Sequence, residues 1–78
     1  MSILVIDVGT SSIRGILFDN DGKDIFEHQV NYKVRFFNEI FAEQDARDWL
    51  DAIIDICKNT VHYCTENQTS LDAISLTS

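Results

Sequence analysis

Two short apolar runs, joined by a turn of glycine and hydroxyl residues, limit what the start of this chain can fold into. Ile3 to Ile6 is continuously apolar and rich in β-branched residues, which predicts a strand buried on both faces. This run ends at Asp7, and Gly9-Thr10-Ser11-Ser12 then leads into a second predicted strand, Ile13 to Phe18. The sequence therefore predicts two strands joined by a polar turn.

A third strand is predicted after the turn Asp19-Asn20-Asp21-Gly22, whose Asn and Gly suit a hairpin. The residues that follow alternate in polarity with a period of two, as in a strand with one buried and one wet face. The predicted buried side contains Phe26, His28, Val30, Tyr32, Val34 and Phe36. The predicted wet side contains Glu27, Gln29, Asn31, Lys33 and Arg35. A bend or break is expected near the end of this strand.

A helix and a last short strand complete the predicted elements. Asp45 is placed as the helix N-cap, and Asp48 in the first turn suits the helix dipole. The predicted buried stripe is Trp49, Ile53, Ile56, Cys57, Thr60, Val61 and Cys64. The predicted solvated side is Asp48, Asp51, Asp55, Lys58 and Asn59. Leu71 to Leu76 forms the last strand.

The predicted order of elements is strand, strand, strand, helix, strand, which indicates an α/β fold with a mixed sheet. A right-handed crossover through the helix would place the last strand parallel to the first. No linker or repeat divides the chain, so residues 1–78 are expected to lie within one domain.

The bulk properties exclude several partners. The chain has 78 residues and a net charge of −7, from 6 basic and 13 acidic residues. Nucleic acids require a basic face, so no nucleic-acid partner is expected. No apolar stretch approaches the length of a membrane span, and no signal peptide is visible. Cys57 and Cys64 lie too far apart on one helix for a disulfide, and reduced thiols favour a cytoplasmic protein.

The turn after the first strand contains the residue types that a phosphate with a divalent metal requires. Asp7, at a strand end, could hold a hydrated Mg²⁺. Gly9 lets the backbone approach a phosphate, and Thr10, Ser11 and Ser12 offer hydroxyl and N–H donors. Arg14 could reach back as a charged donor. From spacing alone, an ordinary turn with a solvated acid remains the alternative.

Three stretches resemble one protein family. Asp7 to Asp19 resembles the first phosphate motif of the sugar kinase/heat-shock chaperone/actin superfamily. Ala42 to Trp49 resembles the segment that leads into the first helix of the FGGY carbohydrate kinases, and Leu71 to Ser78 resembles the strand after that helix. Their order matches the family, so the chain resembles the N-terminal part of domain I of an FGGY kinase. The resemblance implies a partial ribonuclease H-like fold.

The resemblance also implies a function for the turn. It implies contacts to the phosphates of ATP from Thr10, Ser11, Ser12 and Arg14, and an Mg²⁺-associated role for Asp7. The parent protein would transfer the γ-phosphoryl group of ATP to a sugar or polyol. In the family, the sugar-binding residues, the catalytic aspartate and a second domain lie beyond the position of Ser78. No catalytic residue is therefore assigned, and this chain is expected to be a truncated, inactive segment.

A second hypothesis remains open beside this one. The chain could be a stand-alone, non-catalytic α/β module that binds a phosphate or a protein partner through an open sheet edge. If the chain is instead a truncated domain, apolar side chains along Ile3 to Ile6 and Leu71 to Leu76 are expected to be exposed. Exposed strands of this kind favour self-association.

Overall fold

The computed structural model describes residues 1–31, 35–37, 41–43 and 46–78. Within these ranges, the strands are β1 (Ile3–Val8), β2 (Ser12–Phe18), β3 (Asp24–Asn31), β4 (Arg35–Phe37), β5 (Phe41–Glu43) and β6 (Ala73–Thr77), and the helix is α1 (Ala46–Glu66). A four-stranded sheet has the order β3-β2-β1-β6, and β4 pairs with β5 in a two-stranded sheet. The predicted α/β class is confirmed.

The four-stranded sheet is mixed, as predicted. β1 pairs antiparallel with β2, and β2 pairs antiparallel with β3. β6 returns through α1 to lie parallel to β1, with Leu4 of β1 opposite Ile74. The parallel pairing that the helical crossover predicted is therefore confirmed. This register places the carboxyl ends of β1 and β6 at the same edge of the sheet as the β1–β2 turn.

The core lies between α1 and one face of the sheet. β1 and β2 contribute alternate residues, and α1 contributes a stripe that packs on them; the buried cluster is Leu4, Ile6, Ile13, Leu17, Ala52, Ile56 and Cys64. The prediction that β1 is buried on both faces was wrong, because Ile3 is 37% exposed and Val5 is only half-buried. The described residues place a helix on one face of this sheet only.

The buried stripe of α1 differs in part from the predicted one. Ala52, Ile56, Thr60 and Cys64 are buried, whereas the side chain of Val61 is 52% exposed. The buried residues recur every four positions, and Val61 lies one position past Thr60, about 100° around the helix. The Thr60 hydroxyl donates to the carbonyl oxygen of Ile56 at 2.7 Å, which satisfies a polar group inside the core.

The predicted third strand is divided in the structure, where Phe36 lies in β4 and not in β3. Asn31 at the end of β3 lies opposite Ser12, the first residue of β2. Arg35–Phe37 pairs with Phe41–Glu43 in the separate two-stranded sheet. The placement of Phe36 in the third strand was therefore wrong. Three predicted strand residues and the predicted N-cap lie outside the described residues: Tyr32, Lys33, Val34 and Asp45.

The end of α1 is tied to the start of β1 by hydrogen bonds. The N–H of Thr69 donates to the carbonyl of Cys64 at 3.0 Å, and Gln68 takes a left-handed conformation with φ 52°. The carboxylate of Asp72 then accepts from the N–H of Ser2 and from the hydroxyl of Ser70, both at 2.8 Å. β6 begins at residue 73, two residues later than predicted.

These contacts shift two pKa values in opposite directions. The hydrogen bond from the Ser2 N–H, with a second from the Ser70 hydroxyl, lowers the pKa of Asp72. Burial raises the pKa of the Cys64 thiol, and the negative charge of Asp72 raises it further. Cys64 and Cys57 are both free thiols, as their spacing predicted.

Candidate phosphate-binding site

The turn between β1 and β2 is a tight hairpin whose tip carries hydroxyl residues. The N–H of Gly9 donates to the carbonyl oxygen of Ser12 at 2.8 Å, which closes the turn. Thr10 and Ser11 are exposed at the tip, and Ser12 is half-buried. The hairpin therefore presents hydroxyls at the edge of the sheet, where a ligand has access to them.

Gly9 contributes through its missing side chain. A β-carbon at this position would lie 3.0 Å from the carbonyl oxygen of Ser12, closer than carbon and oxygen normally approach. The two positive φ angles among the described residues belong to Gly22 and Gln68, so Gly9 does not need a left-handed conformation. A side chain at position 9 would require the Ser12 carbonyl to move by a few tenths of an ångström, so glycine suits the close approach of the backbone in this turn.

Asp7 and Arg14 are direct cross-strand partners beside the hairpin tip. Both are exposed, while their neighbours Ile6 and Ile13 are buried beneath α1. Side chains alternate between the two faces of a strand, so this acid and this base lie on the face of the sheet away from α1. The structure therefore brings together the predicted metal ligand and the predicted charged phosphate donor.

The register extends this pair into a polar row across the sheet. Thr77 of β6 lies opposite Asp7, and Gln29 of β3 lies opposite Arg14. All four residues are exposed. With neighbouring strands about 4.8 Å apart, the row spans roughly 14 Å. Its middle lies beside the hairpin tip, and the row offers a carboxylate, a guanidinium, a hydroxyl and an amide to one ligand.

The guanidinium of Arg14 forms an ion pair next to this row. Its Nη1 atom lies 3.5 Å from Oε1 of Glu27 on β3. The two side chains are 46% and 49% exposed, so water screens the interaction. The interaction that holds the Arg14 guanidinium at Glu27 is therefore weak.

The donor set fits a magnesium ion bound together with phosphates. No group of three or more His, Cys, Asp or Glu side chains within the described ranges could hold a metal ion by itself. Mg²⁺ usually keeps several waters and binds through one or two carboxylates and the phosphates of its substrate. The single exposed carboxylate of Asp7, beside hydroxyl residues, matches that requirement.

A second polar cluster lies on the other side of the sheet and joins β3 to α1. Nε2 of His28 lies 2.8 Å from Oδ2 of Asp55, and the amide of Asn59 donates to the backbone carbonyl of Asp55 at 2.8 Å. This carboxylate was predicted to be solvated, and it is in fact partnered while remaining exposed. The cluster links the helix to the sheet on the face away from Asp7 and Arg14.

Sequence reasoning missed three residues of the site: Thr77, Gln29 and Glu27. None belongs to the hairpin motif, and each reaches the site through strand pairing. The alternation of β3 did place Gln29 and Glu27 together on the wet face, but the register that sets them beside Arg14 required the structure.

No helix in the described part of the chain is long and apolar enough to cross a membrane.

Comparison with known proteins assigns the family. The sequence model described as "FGGY family of carbohydrate kinases, N-terminal domain" matches residues 2–78. A glycerol kinase of Marinomonas sp. (strain MWYL1) is 31% identical over 71 residues, which cover 91% of this chain and 13% of that protein. A glycerol kinase of Ligilactobacillus salivarius (strain UCC118) is 33% identical over 58 residues, covering 74% of this chain and 12% of that protein. The chain belongs to the FGGY family of carbohydrate kinases.

Solved structures agree with this assignment. A gluconate kinase from Lactobacillus acidophilus has a TM-score of 0.85 and 27% sequence identity over 96% of this chain. A ligand-bound xylulose kinase from Lactobacillus acidophilus gives the same values. The chain covers 15% of each of these proteins. The fold matches the N-terminal part of an FGGY kinase. This agrees with the predicted partial ribonuclease H-like fold.

Proposed function

We propose that this chain provides the ATP-phosphate-binding hairpin of an ATP-dependent carbohydrate kinase. The observation that carries the proposal is the pairing of Asp7 with Arg14 beside a hairpin tip of hydroxyl residues. Family membership supports a phosphoryl-transfer role for these residues, and their exposure leaves them accessible to a nucleotide. The parent reaction is transfer of the γ-phosphoryl group of ATP to a sugar or polyol hydroxyl.

Each residue of the hairpin has a defined part in this proposal. Thr10, Ser11 and Ser12 donate hydrogen bonds to phosphate oxygens, and Arg14 supplies a charge-assisted donor. Asp7 holds the Mg²⁺ that accompanies ATP, through the waters of the ion. When bound, Mg²⁺ neutralises charge that develops on the phosphates during transfer. Gly9 keeps the hairpin tight enough for these groups to meet one ligand.

We assign no catalytic residue to the 78-residue chain and propose that it does not phosphorylate a sugar alone. Phosphoryl transfer requires both substrates and the metal to be held in line, together with a group that orients or deprotonates the attacking hydroxyl. The hairpin supplies the nucleotide side of this arrangement. Asp55 of α1 does not supply the missing group, because it contacts His28 on the opposite face of the sheet.

The substrate class is a carbohydrate, and the proposal does not extend to one sugar. Relatives of this chain are named for glycerol, gluconate and xylulose, which differ in length and charge. The chain spans 12% to 15% of the length of these relatives. We propose a cytoplasmic location, which the two free thiols support.

A titration of the ¹⁵N-labelled chain with Mg·ATP tests the hairpin assignment. Amide signals of residues 9 to 12 are expected to shift at millimolar ATP, relative to a titration with Mg²⁺ alone. Arg14→Gln should weaken binding, because the charged donor is lost. Lys23→Gln is the matched control, since Lys23 is an exposed base in the turn at the far end of β2. Shifts that are absent, or confined to other residues, would contradict the assignment.

The alternative of a stand-alone binding module predicts a different affinity. Within the described residues, β6 pairs on one side only, and its Ile74 and Leu76 side chains are 52% and 64% exposed. This open edge favours protein binding, including self-association. Micromolar affinity for Mg·ATP would suit an independent module, whereas millimolar affinity suits part of a kinase. An assay with glycerol, gluconate and xylulose that detects phosphorylation would contradict the proposed inactivity.

A further inference from the structure

The ion pair of Arg14 points away from the hairpin tip. Arg14 lies opposite Gln29, and Glu27 lies opposite Ile16, two residues further along β2 from the turn. At about 3.4 Å per residue, Glu27 is therefore displaced by roughly 7 Å from the row of Asp7 and Arg14. Because Nη1 of Arg14 lies 3.5 Å from Oε1 of Glu27, the guanidinium is drawn toward the middle of the sheet.

We propose that Glu27 is a competing anchor for Arg14 and thereby limits the affinity of the hairpin for phosphate. This inference rests on the proposed function, because it takes the hairpin to be a phosphate site. A phosphate at residues 9 to 12 competes with Glu27 for the guanidinium, because the two anions lie in different directions from Arg14. Glu27 thus acts through Arg14 as a positioning residue, without touching the ligand.

The size of the effect follows from the exposure of the pair. Both side chains are about half exposed, and ion pairs of this kind are weak. Removing the charge of Glu27 is therefore expected to tighten the binding of Mg·ATP by about twofold to fivefold. Salt screens exposed charges over a distance of about 10 Å at 0.1 M, so the gain should shrink as ionic strength rises.

The test compares Mg·ATP affinity of the full chain and its Glu27→Gln variant, measured by amide shifts of residues 9 to 12. Asp24→Asn is the matched control, because Asp24 is an exposed acid at the far end of β3, opposite Phe18. It removes the same charge from the same strand. The inference expects tighter binding for Glu27→Gln, greatest at low salt, and no comparable gain for Asp24→Asn.

The Arg14→Gln background separates action through Arg14 from general charge repulsion. There the Glu27→Gln change should give no further gain, since no guanidinium remains to be released. An equal gain with and without Arg14 would overturn the inference, as would unchanged or weaker binding of Glu27→Gln when the wild type binds. Absence of binding in the wild type and in every variant would overturn both the proposed function and this inference.

Discussion

Gly15 of β2 lies directly against Ile56 of α1. A β-carbon at position 15 would overlap Cγ2 of Ile56 and would approach Cδ1 of Leu4 to 3.3 Å. Ile56 is branched at its own β-carbon, so its Cγ2 atom cannot move away without a change of rotamer. The helix therefore sits on β2 at a distance that only glycine permits. That distance fixes how α1 covers the sheet behind the candidate site.

Gly15→Ala is predicted to destabilise the fold. The added methyl group must displace a packed core side chain, and overpacking of this kind costs about 1–3 kcal/mol. Urea unfolding followed by circular dichroism measures the change in the free energy of unfolding. Ile56→Ala supplies the control, because it removes the Cγ2 atom that the new methyl group meets.

In the double variant, the cost of Gly15→Ala should be smaller than in the wild-type background, since the two side chains share one space. Additive effects of the two substitutions would show that this contact is not the origin of the loss. A Gly15→Ala variant as stable as the wild type would show that α1 can shift on the sheet at little cost.

The strand periodicity and turn chemistry of the sequence were sufficient to predict the hairpin, the helix and the parallel return of β6. They also selected Asp7 and Arg14 as candidate site residues, and the structure pairs these two residues across β1 and β2. They did not show that Arg14 meets Glu27, because an ion pair between strands depends on register. They also placed Val61 in the core, since the burial of a helical residue depends on how the helix is rotated against the sheet.

The extent of the third strand illustrates the same limit. Polarity alternates through Arg35, so local sequence predicted a strand reaching Phe36. In the structure Asn31 pairs with Ser12, the first residue of β2, whereas Phe36 pairs with Ala42 in a separate two-stranded sheet. Pairing partners are a property of the whole fold, and a local pattern cannot indicate where a neighbouring strand begins. The ATP and Mg²⁺ contacts of the hairpin stay predictions, because they depend on the bound ligand as well as on the chain.

Asp7→Asn is predicted to remove the benefit of Mg²⁺ for ATP binding. In the wild type, Mg²⁺ should strengthen ATP binding, because Asp7 offers a carboxylate to the hydrated ion next to the phosphates. The neutral amide lacks the charge that attracts the cation. Calorimetric or NMR titrations with ATP, in the presence and absence of Mg²⁺, measure the difference.

Asp51→Asn is the control for this substitution, because Asp51 is an exposed acid on α1, away from the hairpin. It should retain the Mg²⁺ effect of the wild type. If Asp7→Asn binds Mg·ATP as well as the wild type does, the metal is not held at this position. If Asp7→Asn and Asp51→Asn lose the Mg²⁺-dependent gain in ATP affinity equally, the loss is a general effect of net charge.

Asp72 should make the stability of the fold depend on pH in the acid range. Hydrogen bonds lower the pKa of this carboxyl group in the folded chain below its ordinary value of 3.8. The ionised group therefore stabilises the fold above the unfolded-state pKa, and this contribution is lost as pH falls through the folded-state pKa. Asp72→Asn should be less stable than the wild type at neutral pH, and the gap should close in strong acid.

Thermal unfolding across a pH series measures this gap. Ser70→Ala removes one of the two hydrogen bonds to Asp72. The stability difference between the wild type and Ser70→Ala should therefore be smaller than that between the wild type and Asp72→Asn, with the same pH dependence. A gap between wild type and Asp72→Asn that stays constant through the acid range would show that the charge of Asp72 contributes nothing. The link between Ser2 and residue 72 would then act through its neutral hydrogen bonds alone.

The open edge of β6 is predicted to mediate dimerisation of the 78-residue chain. β6 is Ala-Ile-Ser-Leu-Thr, without a charge or a proline to block pairing. If two copies pair antiparallel about Ser75, Ile74 of one copy lies opposite Leu76 of the other on the same face. Both side chains are more than half exposed in the single chain, so this pairing would bury apolar surface.

Sedimentation velocity at increasing concentration tests the dimer. Ile74→Lys should shift the chain to a monomer, because two charges would face the apolar partners across the new strand pair. Leu50→Lys is the control: Leu50 is 57% exposed on α1, comparable with the 52% of Ile74, but it is not on a strand edge. A dimer that survives Ile74→Lys and dissociates with Leu50→Lys would assign the interface to the helix. A monomeric wild type at high concentration would show that the open edge does not pair with itself.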